Sequence, residues 1–100
     1  MWDFSLVVGF DWDDGNRRKN IDKHDVGQAE AEQTFFNEPL LIVADSGHSG
    51  QEPRLQALGR TDSGRLLHIS FTLRSNGTLI RVISARPMHR KERAFYDKAP

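Results

Sequence analysis

Leu79 to Arg93 reads LIRVISARPMHRKER. A β-prone run ends in a cluster of guanidinium groups, and a proline stands where a short basic helix can open. This junction of a strand and a helix is the point around which the other segments are arranged. Ser75-Asn76-Gly77 precedes it, and Asn-Gly is a strong hairpin signal. The strand over Leu79–Ala85 is therefore expected to fold back on Leu66–Leu73 (LLHISFTL). Thr61-Asp62-Ser63-Gly64 is the next turn, and it joins Leu66–Leu73 to a strand over Arg54–Arg60 (RLQALGR). The three make an antiparallel meander. On the other side of the junction, the helix is expected to run from Pro87 to about Asp97, docked by Met88, Phe95 and Tyr96.

Further outward the signals are shorter. Leu6–Phe10 (LVVGF) reads as a first strand. Asp14–His24 (DGNRRKNIDKH) reads as a very polar helix with Ile21 almost its only apolar anchor. Asp25-Val26-Gly27 breaks it, and Ala29–Phe36 forms a second helix stopped by Asn37-Glu38-Pro39. Leu40–Ala44 (LLIVA) is an apolar strand, and Asp45–Pro53 is a Gly-, Ser- and Pro-rich loop expected to be mobile. The expected fold class is α+β. A single domain over residues 1–100 carries an antiparallel sheet flanked by two N-terminal helices and a C-terminal helix.

Side chains alternate across a strand, so the period of two sorts each into faces. Leu67, Ile69, Phe71 and Leu73 share one face, and His68, Ser70 and Thr72 the other. Leu55, Ala57 and Gly59 match the apolar face. Ile80 and Val82 suit the core, with Arg81 and Ile83 opposite. One face would thus carry Arg54, Gln56, Arg60, His68, Ser70, Thr72 and Arg81. Arginines on adjacent strands repel unless something anionic lies between them. A solvated face is the ordinary alternative, since antiparallel sheets often have one.

Formal net charge is zero, with 14 Lys/Arg against 14 Asp/Glu. The distribution is uneven. Residues 1–50 hold four Lys/Arg and ten Asp/Glu, while residues 51–100 hold ten and four, and eight of those ten are arginines. Arginine presents a fork suited to phosphate or carboxylate. Cysteine is absent, which excludes disulfides, thiolate metal sites and a cysteine nucleophile. No basic, apolar leader opens the sequence, and no run approaches the roughly 20 apolar residues of a membrane span, so a cytoplasmic location is expected. There is no Walker loop, dinucleotide fingerprint, HExxH or GxSxG. His24, His48, His68 and His89 lack metal-ligand spacing, and no cofactor is expected.

Phosphodiester chemistry without a metal remains. RNA supplies its own nucleophile, the 2′-hydroxyl. The enzyme must help remove that proton, stabilise charge on the phosphorane-like transition state and protonate the leaving oxygen. Arginines on a rigid sheet suit the second task. His24, with an ordinary pKa near neutrality, and Glu92, among Arg90, Lys91 and Arg93, are candidates for the others. Each has a plainer reading: His24 as a helix cap, Glu92 as an ion-pair partner within its helix. Trp12 can stack on a base or pack as a core or lid residue. Arg86 and Arg90 can hold phosphate or an acidic partner segment.

Four blocks carry a resemblance: FDWDDGNRRKNIDKHDV (Phe10 to Val26), FFNEPLLIV (Phe35 to Val43), LGRTDSGRLLHISFT (Leu58 to Thr72) and IRVISARPMHRKERAFY (Ile80 to Tyr96). In this order they resemble the BrnT family of toxins from bacterial type II toxin–antitoxin systems. The resemblance implies a RelE-like α+β fold and a small ribonuclease that cuts RNA without a metal and arrests translation. It also implies a cognate antitoxin with a ribbon-helix-helix DNA-binding domain, similar to BrnA, in a heterotetramer that touches DNA only through the antitoxin. Family motif positions carry over to Trp12, Lys19, Asn20, Lys23, His24, Arg60, Arg81, Arg86, Arg90, Glu92 and Arg93.

On this basis the expected catalytic set is His24, Arg60, Arg81, Arg86 and Glu92. The expected RNA-binding set is Trp12, Lys19, Lys23, Arg54, Arg90 and Arg93. Asp25, Gly27-Gln28, Pro53 and His68 depart from the family pattern. The alternative is a non-catalytic module whose arginine face grips an acidic antitoxin segment or a nucleic-acid backbone.

Overall fold

The computed structural model describes residues 4–44 and 54–99, so the expected loop over Asp45–Pro53 lies outside the described residues. Along the chain come β1 (Gly9–Asp11), α1 (Asp14–His24), α2 (Gln28–Thr34), β2 (Leu41–Ala44), β3 (Leu55–Arg60), β4 (Leu66–Arg74), β5 (Leu79–Pro87) and α3 (Arg90–Asp97). The strands form one five-stranded sheet in the order β1-β5-β4-β3-β2. From β2 to β5 the neighbours are antiparallel, as the turn signals predict. The β4–β5 turn places Ser75, Asn76 and Gly77 at φ 55°, 59° and 85°. This left-handed backbone is the one that asparagine and glycine tolerate best.

The alternation of β4 holds. Leu67, Ile69 and Phe71 are fully buried with Leu55 and Ala57 of β3 and Val82 and Ala85 of β5, and Val26 and Ala31 close the layer from the helical side. Phe71 is its centre. Its ring meets Phe35 edge-on at 5.1 Å between centroids and lies 6.1 Å from Phe4. Helix α2 approaches β3 so closely that a Cβ on Gly59 would stand 2.6 Å from Thr34 Cγ2. No helix among the described residues is long and apolar enough to cross a membrane.

The structure corrects the sequence reading at four places. The first strand is Gly9–Asp11, not Leu6–Phe10, and it pairs parallel to β5, Gly9 opposite Leu79 and Asp11 opposite Arg81. The sheet is therefore mixed and not a pure antiparallel meander. Leu6 and Val8 stay exposed. The simple alternation of β5 also fails. Ser70 pairs with Ser84 but Phe71 with Val82, so Ile83 is an extra residue in a β-bulge. A one-residue insertion exchanges the faces of all that follows. Ala85 thus returns to the core, and Arg86 emerges on the face that carries Arg81.

The last helix starts at Arg90, because Pro87 ends β5 instead of opening α3. Met88 and Tyr96 are buried as docking residues, but Phe95 is 59% exposed. Successive helical residues diverge by about 100°, so Phe95 and Tyr96 cannot both face the sheet. The Tyr96 hydroxyl donates to the Pro39 carbonyl at 2.6 Å, fastening α3 to the segment before β2.

Polar groups hold α1 where apolar ones are missing. Asn20, 1% exposed, accepts a hydrogen bond from the Ala85 N–H at 3.1 Å. Lys19 Nζ donates to the Ile83 carbonyl at 3.1 Å. Both act on the outer edge of β5 beyond the end of β1, so α1 caps a stretch of strand edge that would otherwise be open. Arg65 then fastens the corner between α1 and α2. It donates to the carbonyls of His24 and Asp25 at 3.0 and 2.6 Å and to Glu30 Oε1 at 3.1 Å. Glu30 in turn accepts from the Gly27 N–H at 3.3 Å, serving the helix N-terminus where glycine offers no side chain.

Candidate active site

The site is built where β4, β5 and α3 meet. The bulge sets Arg86 beside His68 of β4, its partner in the register. Glu92 descends from the first turn of α3. Its Oε1 accepts from the His89 N–H at 2.8 Å, so the carboxylate caps its own helix. The Arg86 guanidinium meets the same carboxylate fork to fork, with Nη1 to Oε1 at 2.8 Å and Nη2 to Oε2 at 2.9 Å. His68 Nε2 lies 3.8 Å from Glu92 Oε2. His68 is 7% exposed, and its Nδ1 is buried without a hydrogen-bond partner among the described residues.

Electrostatics separate the two titratable groups. Hydrogen bonds from Arg86, assisted by the His89 N–H, hold the Glu92 carboxyl at about 2, well below the carboxylate range, although burial opposes them. Burial pushes the His68 imidazole below its ordinary value, and the Arg86 charge adds to this, while Glu92 pulls the other way. At neutral pH the cluster is thus an anion, a cation and a neutral imidazole. A neutral imidazole can both accept and donate a proton.

The low carboxyl pKa carries a stability consequence. In the unfolded chain Glu92 titrates near the ordinary 4.5. The folded state's preference for the anion is complete above that value and is lost as pH falls toward 2. Partial exposure screens the pair, so the loss is expected to be about 1–2 kcal/mol. Urea midpoints followed from about pH 5 down to about pH 2 should fall more steeply for the wild type than for Glu92→Gln. Parallel curves would remove the pair from the account.

The expected site residues separate into groups. Arg86 and Glu92 come together. Arg60 is exposed at the end of β3, near enough to Tyr96 to oppose the upward push that burial exerts on its hydroxyl pKa. Arg60 and Arg90 enter no ion pair among the described residues. Arg81 lies on the expected face, but Asp13 accepts from its Nη2 and Asp11 stands 3.6 Å from its Nη1, which ties β5 to β1 and the chain beyond it. His24 ends α1 and, among the described residues, forms no hydrogen bond or ion pair with Arg86, Glu92 or His68. Its carbonyl is held by Arg65.

Trp12 packs against the main core and donates to Glu32 Oε2 at 2.9 Å. Lys19 is engaged at the β5 edge, Lys23 is exposed and Arg54 half-buried, and Arg93 donates to the Met88 carbonyl at 3.0 Å. Two residues absent from the expected set matter here. His68 was already sorted onto the arginine face by alternation, and its place beside Arg86 became visible only with the bulge. Arg65 gave no signal, because its partners are backbone carbonyls from a distant corner.

A family model described as the ribonuclease toxin BrnT of type II toxin–antitoxin systems matches residues 12–92. A crystal structure of the Brucella abortus ribonuclease toxin BrnT is similar with a TM-score of 0.62 and 21% identity, over 84% of this chain and 100% of that one. At that identity the likeness concerns the fold. No curated protein sequence matches the chain. The family match spans α1 through the first turn of α3 and includes Arg86, Glu92 and His68. The chain belongs to the BrnT family, the ribonuclease toxins of type II toxin–antitoxin systems.

Proposed function

We propose that this chain is a metal-independent endoribonuclease that cuts RNA by promoting attack of a 2′-hydroxyl on the adjoining phosphodiester, and that it thereby arrests translation. The observation that carries the reading is the Arg86–Glu92 fork beside a buried, neutral His68. Glu92 holds the guanidinium in a fixed orientation on a strand, and a preoriented cation stabilises charge as it develops on the phosphorane. Arg60 and Arg90 supply further cations for the backbone. A carboxyl held at about 2 is a weak base, so Glu92 acts by orienting Arg86. His68 is the group suited to move the proton. Arg81 is assigned to holding β1 and its following turn in place, and His24 has no part in the proton transfer.

The antitoxin in this reading has a ribbon-helix-helix domain similar to BrnA, assembles with the toxin as a heterotetramer, and makes the DNA contacts. Lys23, Arg54 and Arg93 are assigned to the RNA backbone, with Trp12 and Lys19 supporting the wall near β5. The toxin would act in the cytoplasm.

Purified, antitoxin-free protein should cut a defined RNA in excess EDTA. His68→Gln should slow that cleavage about 100-fold or more, the size of a general acid–base contribution. His24→Ala, in parallel, should retain it. Cleavage lost in His24→Ala and kept in His68→Gln would exchange their roles. No cleavage by folded protein, on free RNA or on translating ribosomes, would favour a non-catalytic binding module.

A further inference from the structure

We propose that the groove between β2 and α3 is a nucleobase subsite, which takes one base of an RNA strand whose neighbouring phosphate lies at Arg86. This inference rests on the ribonuclease reading and gives that site a means of choosing its substrate. The groove has a volume of about 320 Å³, at the small end of ligand pockets. Its walls are apolar: Val43 of β2, Leu58 of β3 and Phe95 of α3. Its polar groups are His68 and Gln56 from the sheet and Lys91 and Glu92 from α3. Apolar walls with sparse polar groups are what a flat heteroaromatic ring requires.

Three observations favour a base over another occupant. Phe95 is 59% exposed on a helix that buries Met88 and Tyr96, so its ring is available for stacking. His68, 7% exposed, lines the groove and has a buried Nδ1 without a partner among the described residues. His68 thus brings unmet hydrogen-bonding capacity to the groove wall, and the edge of a base offers both donors and acceptors. The groove also adjoins Lys91 and the Arg86–Glu92 fork, so a base seated in it would have cations on the side where its phosphates continue. A protein strand added to β2 would meet the same apolar walls but would make no use of His68 or of the cations.

The test uses 2′-deoxy tetranucleotides of each base type, which bind without being cut, at one fixed salt concentration. Phe95→Trp adds a fluorophore to the groove, and its emission above that of the wild type should be quenched by at least one base type. Phe95→Ala should weaken binding of that oligonucleotide about fivefold or more. Phe36→Ala, in the separate apolar cavity beside β1, should leave it unchanged. Equal affinity for wild type and Phe95→Ala, or quenching by the antitoxin and by no oligonucleotide, would overturn the subsite. Base-selective quenching by a protein that cuts nothing would keep the subsite and reject the ribonuclease reading. Cleavage unaffected by Phe95→Ala, at the same base preference, would do the reverse.

Discussion

Arg86→Ala is expected to lower RNA cleavage about 100-fold or more while leaving a folded protein. Two effects combine. The variant loses the guanidinium that faces the developing charge. It also releases Glu92, whose carboxylate then keeps only the His89 N–H at 2.8 Å and the neighbouring His68. The carboxyl pKa should rise once its first cause is gone, and the local cation becomes a local anion that repels phosphate. The pair is partly exposed, so the stability cost should stay within about 1–3 kcal/mol. Arg86→Lys should recover part of the rate, since it restores charge without the fork. Single-turnover cleavage, beside a thermal melt showing that the fold persists, separates these cases. Unimpaired cleavage by Arg86→Ala would remove this arginine from the chemistry.

The largest expected effect on stability belongs to Phe71→Ala. Phe71 is 0% exposed in the central strand, stacked edge-on against Phe35 and near Phe4. Truncation removes a buried ring and leaves a cavity walled by β3, β5 and α2, at an expected cost of about 3–5 kcal/mol. Domains of this size hold about 5–15 kcal/mol in total, so a large share of the stability is at stake. Phe71→Leu should cost much less, since it keeps most of the volume. Urea denaturation with an unchanged slope measures the difference. A loss below about 1 kcal/mol would mean that the layer closes over the gap or that the ring is not its centre.

Much of the fold was legible wherever local chemistry and tertiary packing agree. The helix over Asp14–His24 starts and stops at the expected residues, despite its lack of an apolar stripe. The two turns fixed the pairing of β3, β4 and β5, and alternation sorted β3 and β4 into faces. What escaped depended on contacts distant in sequence. A strand of three residues has no periodicity to read, and the parallel pairing of β1 follows from β5. The bulge at Ile83 leaves no mark in a run of branched residues, yet it sets the side on which Arg86 emerges. At the site, Arg86 and Glu92 were legible as a strand–helix junction, but the fork between them was not. Arg81 was legible as a surface cation, and the aspartates that engage it come from the other end of the chain.

The pairing of β1 with β5 bears on the order in which the protein can assemble. Gly9 must wait for Leu79, and Arg86, Glu92 and His68 come from β5, α3 and β4. Such distant partners raise contact order and slow folding. During synthesis, a nascent chain that has emerged only as far as β3 has neither a closed sheet nor Arg86, Glu92 or His68. The proposed catalytic cluster thus forms only after β5 and α3 have emerged. A ribosome that has made the chain only through β4 therefore carries no Arg86–Glu92 fork.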